Sequence, residues 1–204
     1  MVSRETPPDS AAATFGARLP LMERYADLLA GPGVDHGLIG PREVPRLWDR
    51  HLTNCGVVLP RVPANASVAD VGSGAGLPGL VWAIGRPDLQ VTLIEPLLRR
   101  TRFLDDVVAA LGLSNVQVVR ARAEEVEQTF DVVTARAVAP LEKLARWCLP
   151  LVRPGGALLA LKGRTAEEEV ASARRVLGRL GATDVRVATY GDLEIPTTVV
   201  EVTT

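Results

Sequence analysis

The stretch Val68-Ala69-Asp70-Val71-Gly72-Ser73-Gly74-Ala75-Gly76-Leu77-Pro78-Gly79 narrows the possible folds of this 204-residue chain more than any other. It reads as an apolar strand over 67–72, a turn built on three alternating glycines, and a helix over 78–86. A glycine has no Cβ, so the backbone can turn sharply and a ligand can approach the main chain closely. Pro78 suits the first position of a helix, where the amide hydrogen it lacks has no intrahelical partner. Strand, glycine turn and helix in this order form half of a parallel βαβ unit. The crevice at the carboxyl end of such a strand is where open α/β sheets bind nucleosides.

The rest of the chain extends the pattern. Strands are expected at 91–95, 116–120, 130–135 and 157–162, alternating with helices at 98–111, 140–149 and 166–180. A short turn covers 121–126, a second covers Arg153-Pro154-Gly155-Gly156, and two further strands near 184–190 and 197–203 close the chain. Alternation of this kind predicts an α/β fold with helices on both faces of a mostly parallel sheet. The short loop between the last two strands requires one antiparallel strand, for seven in all. Upstream, Leu21, Tyr25, Leu28 and Leu29 share one face of a helix over 15–31, ended by Gly31-Pro32-Gly33. A second helix over 41–58 opens at Pro41, carries Val44, Leu47, His51 and Leu52 along one side, and takes Pro45 in its first turn. Residues 1–14 are polar, contain Pro7-Pro8 and lack the layout of a signal peptide, so a disordered tail is expected there. The implied organisation is a tail over 1–14, an N-terminal helical segment over 15–60 and a nucleoside-binding domain over 61–204.

Composition removes several classes. At 47% hydrophobic residues a sizeable core forms, yet no apolar run is long enough to span a membrane. Cys55 and Cys148 sit far apart in apolar helical contexts and read as buried thiols of a cytoplasmic protein, not as a disulfide framework. With only His36 and His51 present and no Cys/His cluster, no metal is expected. The net charge of −1 gives no bulk attraction to nucleic acid. Basic residues are nonetheless grouped: Arg42, Arg46 and Arg50 recur every four residues, and Arg99, Arg100 and Arg102 follow the second strand.

Two cofactor classes use such a glycine turn. Gly74-Ala75-Gly76-Leu77-Pro78-Gly79 satisfies the dinucleotide pattern G-x-G-x-x-G. Asp70-Val71-Gly72-Ser73-Gly74-Ala75-Gly76 instead looks like the first motif of S-adenosylmethionine methyltransferases, an acidic residue two positions before alternating glycines. Electrostatics favours the second. A dinucleotide would lay a pyrophosphate on the turn, and a carboxylate at Asp70 would repel it. S-adenosylmethionine has no phosphate but carries an ammonium and a sulfonium, both of which a nearby carboxylate favours. Gly72, Gly74, Gly76 and Leu77 then join Asp70 as expected cofactor contacts.

Other strand ends supply further candidates. Glu95 lies 21 residues after Gly74 and can accept from both hydroxyls of a ribose, which either cofactor contains. After the third strand, Ala123 and Glu124 can meet an adenine edge through a backbone amide and a carboxylate. Arg136 leaves the fourth strand toward the cleft, where it can clasp a carboxylate or phosphate. Lys162 ends the fifth strand and can meet a phosphate. Trp48 and His51 can present a stacking surface to a base, or Trp48 can pack its helix onto the core; Arg46 and Arg50 can face phosphates or form an ordinary charged helix face. After the fourth strand the Asn/Asp-Pro-Pro-Tyr/Phe loop of amine-methylating DNA enzymes is replaced by Arg136-Ala137-Val138-Ala139-Pro140, which points to an acceptor needing position only.

Trp48-Asp49-Arg50-His51-Leu52, Asp70–Gly79, Arg102-Phe103-Leu104, Arg122-Ala123-Glu124, Thr134-Ala135-Arg136-Ala137 and Leu161-Lys162-Gly163 together resemble one family. It is the bacterial 16S ribosomal RNA guanine-N7 methyltransferase G family, also called glucose-inhibited division protein B, and the likeness covers nearly all of the chain after the tail. The resemblance implies the Rossmann-like methyltransferase fold, S-adenosylmethionine as cofactor with contacts at Gly72, Leu77, Ala123, Glu124 and Arg136, and 16S RNA or the 30S subunit as substrate of a monomeric enzyme. Arg136 is expected to position the reactants, with no general base. Two other functions stay open on the residues alone: an NAD-dependent oxidoreductase, and a non-catalytic ribosome-assembly factor that keeps the fold as a scaffold.

Overall fold

The computed structural model describes residues 7–136 and 138–204, and the strand–turn–helix unit lies at the centre of its sheet. The strands are β1 (Ser67–Val71), β2 (Gln90–Ile94), β3 (Val116–Val119), β4 (Phe130–Arg136), β5 (Val152–Lys162), β6 (Asp184–Tyr190) and β7 (Thr197–Thr203). They form one seven-stranded sheet in the order β3-β2-β1-β4-β5-β7-β6. β1 runs parallel to both β2 and β4, while β7 runs antiparallel to β5 and β6. The chain thus winds outward from β1 to β3 and returns on the other side at β4. That reversal opens a crevice at the carboxyl ends of β1 and β4, the switch point at which such sheets bind ligands.

Successive residues of a strand point to opposite faces. Val68, Val91, Leu93 and Val132 enter one core, with α5 (Gly79–Gly85), α6 (Leu98–Leu111) and the N-terminal segment. Ala69, Val71, Ile94 and Val133 enter the other, with α7 (Leu141–Cys148) and α8 (Ala166–Arg179). The same alternation places Asp70, Thr134 and Arg136 on the face that the N-terminal segment covers.

That segment departs most from expectation. Residues 9–14, expected within a disordered tail, fold into α1 (Asp9–Phe15), with Ala11 and Phe15 buried; residues 1–6 of the tail lie outside the described residues. An alanine-rich run favours a helix, and Phe15 anchors it against Gly56, where a Cβ would stand 2.6 Å from the phenyl ring. The helix expected over 15–31 is α2 (Leu19–Ala30), preceded by a 3₁₀ turn at Gly16–Arg18, and a short α3 (Pro32–Asp35) follows. The single helix expected over 41–58 is broken into a 3₁₀ turn (Pro41–Arg46), one turn of π-helix (Trp48–Leu52) and α4 (Thr53–Gly56). Pro45, inside the element, has no amide hydrogen to give to the Pro41 carbonyl, so a regular i→i−4 ladder cannot form across it.

The turn expected at 153–156 is an irregularity within the longer β5: the partner of Phe130 is Val152, and that of Val132 is Ala157. Cys55 and Cys148 are free and buried. Among the described residues no helix is long and apolar enough to cross a membrane.

Candidate functional site

A cavity of about 740 Å³ lies over the carboxyl ends of β1, β2 and β4. Its volume is that of a pocket for a cofactor-sized molecule. One wall is the glycine turn and the segment after β2; the facing wall is the Gly37–Gly40 stretch, Glu43 and His51 of the N-terminal segment. Arg136 and Val138 stand between them, and Ala123, Glu124 and Trp147 complete the far end.

Gly72, Gly74 and Gly76 all have positive φ, at 69°, 57° and 96°. Gly72 is also crowded: a Cβ there would lie 3.0 Å from Val138 Cγ2. The turn spends its amides on itself. Gly72 N–H (2.8 Å) and Ser73 N–H (3.3 Å) donate to the Ile94 carbonyl, and Gly76 N–H (2.7 Å) and Leu77 N–H (3.3 Å) donate to that of Ser73. Gly74 N–H donates to Glu95 Oε2 at 3.1 Å. A phosphate nest needs free amides, and this turn has committed these five donors, one of them to a carboxylate.

Glu95 is therefore the acidic group that the glycine turn itself holds at the cavity. It is 1% exposed, its Oε1 accepts from Leu97 N–H at 3.0 Å, and Arg100 lies 3.4 Å from Oε2. Two backbone amides fix its direction and leave lone pairs for a diol. Ala123 and Glu124 line the cavity on a 3₁₀ turn (Ala123–Glu125). The local capping role falls to Glu125, whose Oε2 accepts from Arg122 N–H at 2.8 Å, so the Glu124 carboxylate is not needed for it.

Asp70 does not line the cavity. Strand parity turns it beneath the glycine loop, where it is fully buried and its Oδ2 accepts from Gly79 N–H at 2.9 Å. Its Oδ1 has no hydrogen-bond partner among the described residues, and burial pushes the carboxyl up to about 7 against the pull of the Gly79 amide. Asp70 ties the start of α5 to β1 beneath the turn, so it is not placed to meet a ligand charge in the cavity as expected. Gly76 likewise faces inward rather than toward the cavity: a Cβ there would stand 2.3 Å from Leu80 Cδ1 and 3.0 Å from the Tyr25 hydroxyl.

Arg136 lines the cavity but is held from the side. One terminal nitrogen lies 2.6 Å from His51 Nδ1; the other donates to the Arg50 carbonyl at 3.3 Å and approaches Cys55 Sγ at 3.7 Å. A guanidinium only donates, so Nδ1 of His51 accepts and the proton sits on Nε2, 3.2 Å from Glu43 Oε2. Burial, then the Arg136 charge, lowers the His51 pKa to about 4, so the ring is neutral near pH 7. The single π-turn presents both the His51 ring and the Arg50 carbonyl to Arg136. The last residue of the Thr134–Ala137 motif, Ala137, lies outside the described residues.

The expected RNA contacts divide. Trp48 is 2% exposed and packs in the core, so it offers no stacking face. Lys162 is enclosed, donating to the Ala139 carbonyl (2.7 Å) and pairing with Glu169 (2.8 Å), so it is not free for a phosphate. Arg46 and Arg50 are exposed near the cavity mouth, Arg50 beside Glu43. Glu43, Arg100 and Trp147 also line the cavity, and no local sequence pattern marks them as site residues. Glu43 sits eight residues before His51 on a broken helix, and only the fold brings the two together.

The residues fit S-adenosylmethionine on their own geometry: a crowded glycine approach at Gly72, a fixed carboxylate at Glu95, a second one at Glu124, and no array of free amides for a pyrophosphate. The comparisons agree. The family model described as "rRNA small subunit methyltransferase G" matches residues 18–194. A protein of Nocardioides sp. named ribosomal RNA small subunit methyltransferase G is 58% identical over 204 residues, covering 97% of this chain and 82% of its own length. One of the same name from Thermobifida fusca is 58% identical over 207 residues, covering 100% of this chain and 87% of its own length. Among solved structures, the S-adenosylmethionine-dependent methyltransferase SibL shares the fold at TM-score 0.63 and 19% identity, over 95% of this chain and 69% of its own. A precorrin-6y C5,15-methyltransferase from Geobacter metallireducens does so at TM-score 0.56 and 17% identity, over 81% and 89%.

Proposed function

From its membership of the rRNA small subunit methyltransferase G family, an S-adenosylmethionine-dependent family, we propose that the chain methylates N7 of a guanine in 16S ribosomal RNA. The observation that carries the cofactor half of this reading is the glycine turn itself, whose Gly72, Ser73, Gly76 and Leu77 amides are committed to nearby carbonyls and so offer no nest to a pyrophosphate. An NAD-dependent oxidoreductase is not favoured: family and structural neighbours alike are methyltransferases.

Bound S-adenosylmethionine supplies a methyl group activated by a sulfonium. Glu95 would take the ribose hydroxyls, and Ala123 with Glu124 the adenine edge. Gly72 and Leu77 would border the cofactor at the turn, with Asp70 and Gly76 supporting that turn from below. Guanine N7 holds a lone pair in the ring plane and no proton, so no residue need act as a general base. The site suits that chemistry. His51 has one nitrogen taken by Arg136 and the other directed at Glu43, which leaves it no free base position. Arg136 lines the cavity with donors to spare and would position the reactants, the main contribution such a reaction asks of a protein. Arg46 and Arg50 would meet RNA phosphates at the mouth. Residues 61–204 would form the methyltransferase domain, with 15–60 completing its acceptor wall. We take the enzyme to act as a monomer, in the cytoplasm and without a metal.

The test is transfer of labelled methyl from S-adenosylmethionine to 30S subunits from a strain lacking this protein. Mapping follows, by primer extension after reductive cleavage at 7-methylguanosine. Label at one guanosine of 16S RNA is expected. Label at any other atom would overturn the reading. Subunit binding without label would favour an assembly factor instead.

A further inference from the structure

Among the described residues three carboxylates line the cavity, and two are given roles in the proposed function. Glu95 is drawn to the glycine turn by the amides of Gly74 and Leu97. Glu124 stands past the end of β3 beside Ala123. Glu43 is on the opposite wall, on the turn Pro41–Arg46, with its side chain 34% exposed. The hydrogen bond from His51, with the Arg50 charge, holds its carboxyl below the usual range, so it is ionised near pH 7. His51 uses one site on Oε2 at 3.2 Å, and Arg50 makes only long contacts of 3.4 Å to either oxygen. A carboxylate offers about four lone-pair sites, so Glu43 keeps acceptor capacity in the cavity.

The imidazole of His51 spans from Glu43 to Arg136, so the acceptor on one side of the cavity and the cation at the end of β4 are rigidly related. A guanine presented for methylation at N7 turns its N7 and O6 edge to the methyl donor. Its opposite edge then carries N1–H and the 2-amino group, two donors side by side. Adenine has an acceptor at N1 in that place and no 2-amino group. An ionised carboxylate accepts both guanine donors and repels the adenine N1 lone pair.

We propose that Glu43 is the residue that selects guanine, accepting hydrogen bonds from N1–H and the 2-amino group of the base while His51 holds it in place. This rests on the reading of guanine N7 as the acceptor.

The experiment compares the wild type with Glu43→Ala and Glu43→Gln on two subunit preparations, one with the target guanosine intact and one with inosine in its place. Inosine keeps N7 and N1–H and lacks the 2-amino group. Cofactor affinity is measured by calorimetry on each protein, to certify that the cofactor wall is undisturbed. The wild type should lose about ten- to a hundredfold in kcat/KM on inosine, the weight of a hydrogen bond to a charged group. Glu43→Ala should be slow on guanosine and show a guanosine-to-inosine ratio within about threefold of unity. Glu43→Gln should fall between, because its amide accepts one donor and opposes the other. If Glu43 only braces His51, both variants lose activity on both substrates equally and the wild-type ratio persists; that result overturns the proposal. So does a wild type that methylates the two substrates alike. Failure of the N7 reading looks different: the label on the guanosine substrate maps to another atom.

Discussion

The two walls of the cavity are built by different means. On the glycine-turn side the chain uses backbone. Amides of Gly72, Ser73, Gly76 and Leu77 close on nearby carbonyls, and Gly74 and Leu97 amides clamp Glu95. On the facing side it uses side chains from distant parts of the sequence: Arg136 meets His51 across 85 positions, and Tyr25 supports the Ala75 carbonyl across 50. A backbone-built wall is fixed by local geometry and tolerates little change of shape. A wall built by side chains is tuned residue by residue and is the natural place for substrate selection.

The sharpest test of this contrast removes the cation between the walls. Arg136→Ala should fold, because the residue lies at a strand end beside the cavity, yet lose on the order of a hundredfold or more in kcat, the scale seen when a positioned donor is removed from an active site. Circular dichroism and labelled methyl incorporation measure the two halves of that statement. Near-full activity would mean that the side-chain wall positions nothing.

Asp70→Asn probes the backbone wall through pH. The folded carboxyl is raised by burial to about 7 from 3.8. The folded chain therefore keeps a proton that the unfolded chain gives up. The stability this contributes is complete below about pH 4 and is lost as pH rises through 7. Asparagine cannot ionise. The variant should gain on the wild type as pH rises from 4 to 7, by up to about 1.4 kcal/mol per pH unit at the steepest, then hold level. Urea unfolding at pH 4.5, 6 and 8 reads this directly. His51 acts in the other sense, its folded pKa of about 4 costing stability as pH falls below 6.5, but it is present in both proteins and cancels. A difference that does not vary with pH would show that Asp70 ionises in the fold as freely as in the open chain.

Gly76→Ala breaks the same wall by shape. Its φ of +96° disfavours any side chain, and the new methyl would meet Leu80 at 2.3 Å. A loss of roughly 2–3 kcal/mol in unfolding free energy is expected.

The division between the walls is also the division between what was legible in the sequence and what was not. Strand and helix alternation, the single antiparallel strand and the position of Glu95 follow from short-range pattern, and the sheet bears them out. The burial of Asp70 does have a signal in the sequence: counting alternate residues from Val68 puts Asp70 on the covered face, beneath the glycine turn. Sequence leaves Trp48 open between a stacking surface and the core, which the fold decides, and Lys162 looks like a surface group because nothing local announces the Glu169 partner that encloses it. Glu43 had no signal at all. Its meaning depends on Pro45 breaking a helix so that His51 turns back toward it, and tertiary packing decides that. Nor did the polar composition of residues 1–14 reveal that Phe15 would seat α1 against Gly56.

The smallest effect tests whether the walls are coupled. Tyr25 of α2 is fully buried, and its hydroxyl donates to the Ala75 carbonyl at 2.7 Å, so the N-terminal segment holds the glycine turn by its own backbone. Tyr25→Phe keeps the ring and removes only that donor, leaving the carbonyl without it at a cost of about 1 kcal/mol. If the bond shapes the turn, that cost appears in the cofactor site as a roughly three- to tenfold weaker affinity for S-adenosylmethionine by calorimetry, with kcat at saturating cofactor within about twofold of the wild type. If the cost appears only in the urea midpoint and the affinity is unchanged, the N-terminal segment covers the core without setting the shape of the turn, and the walls act independently. A coupled result gives the segment two tasks at one cavity: through Tyr25 it fixes the turn that meets the cofactor, and through His51 it fixes the arginine between cofactor and base.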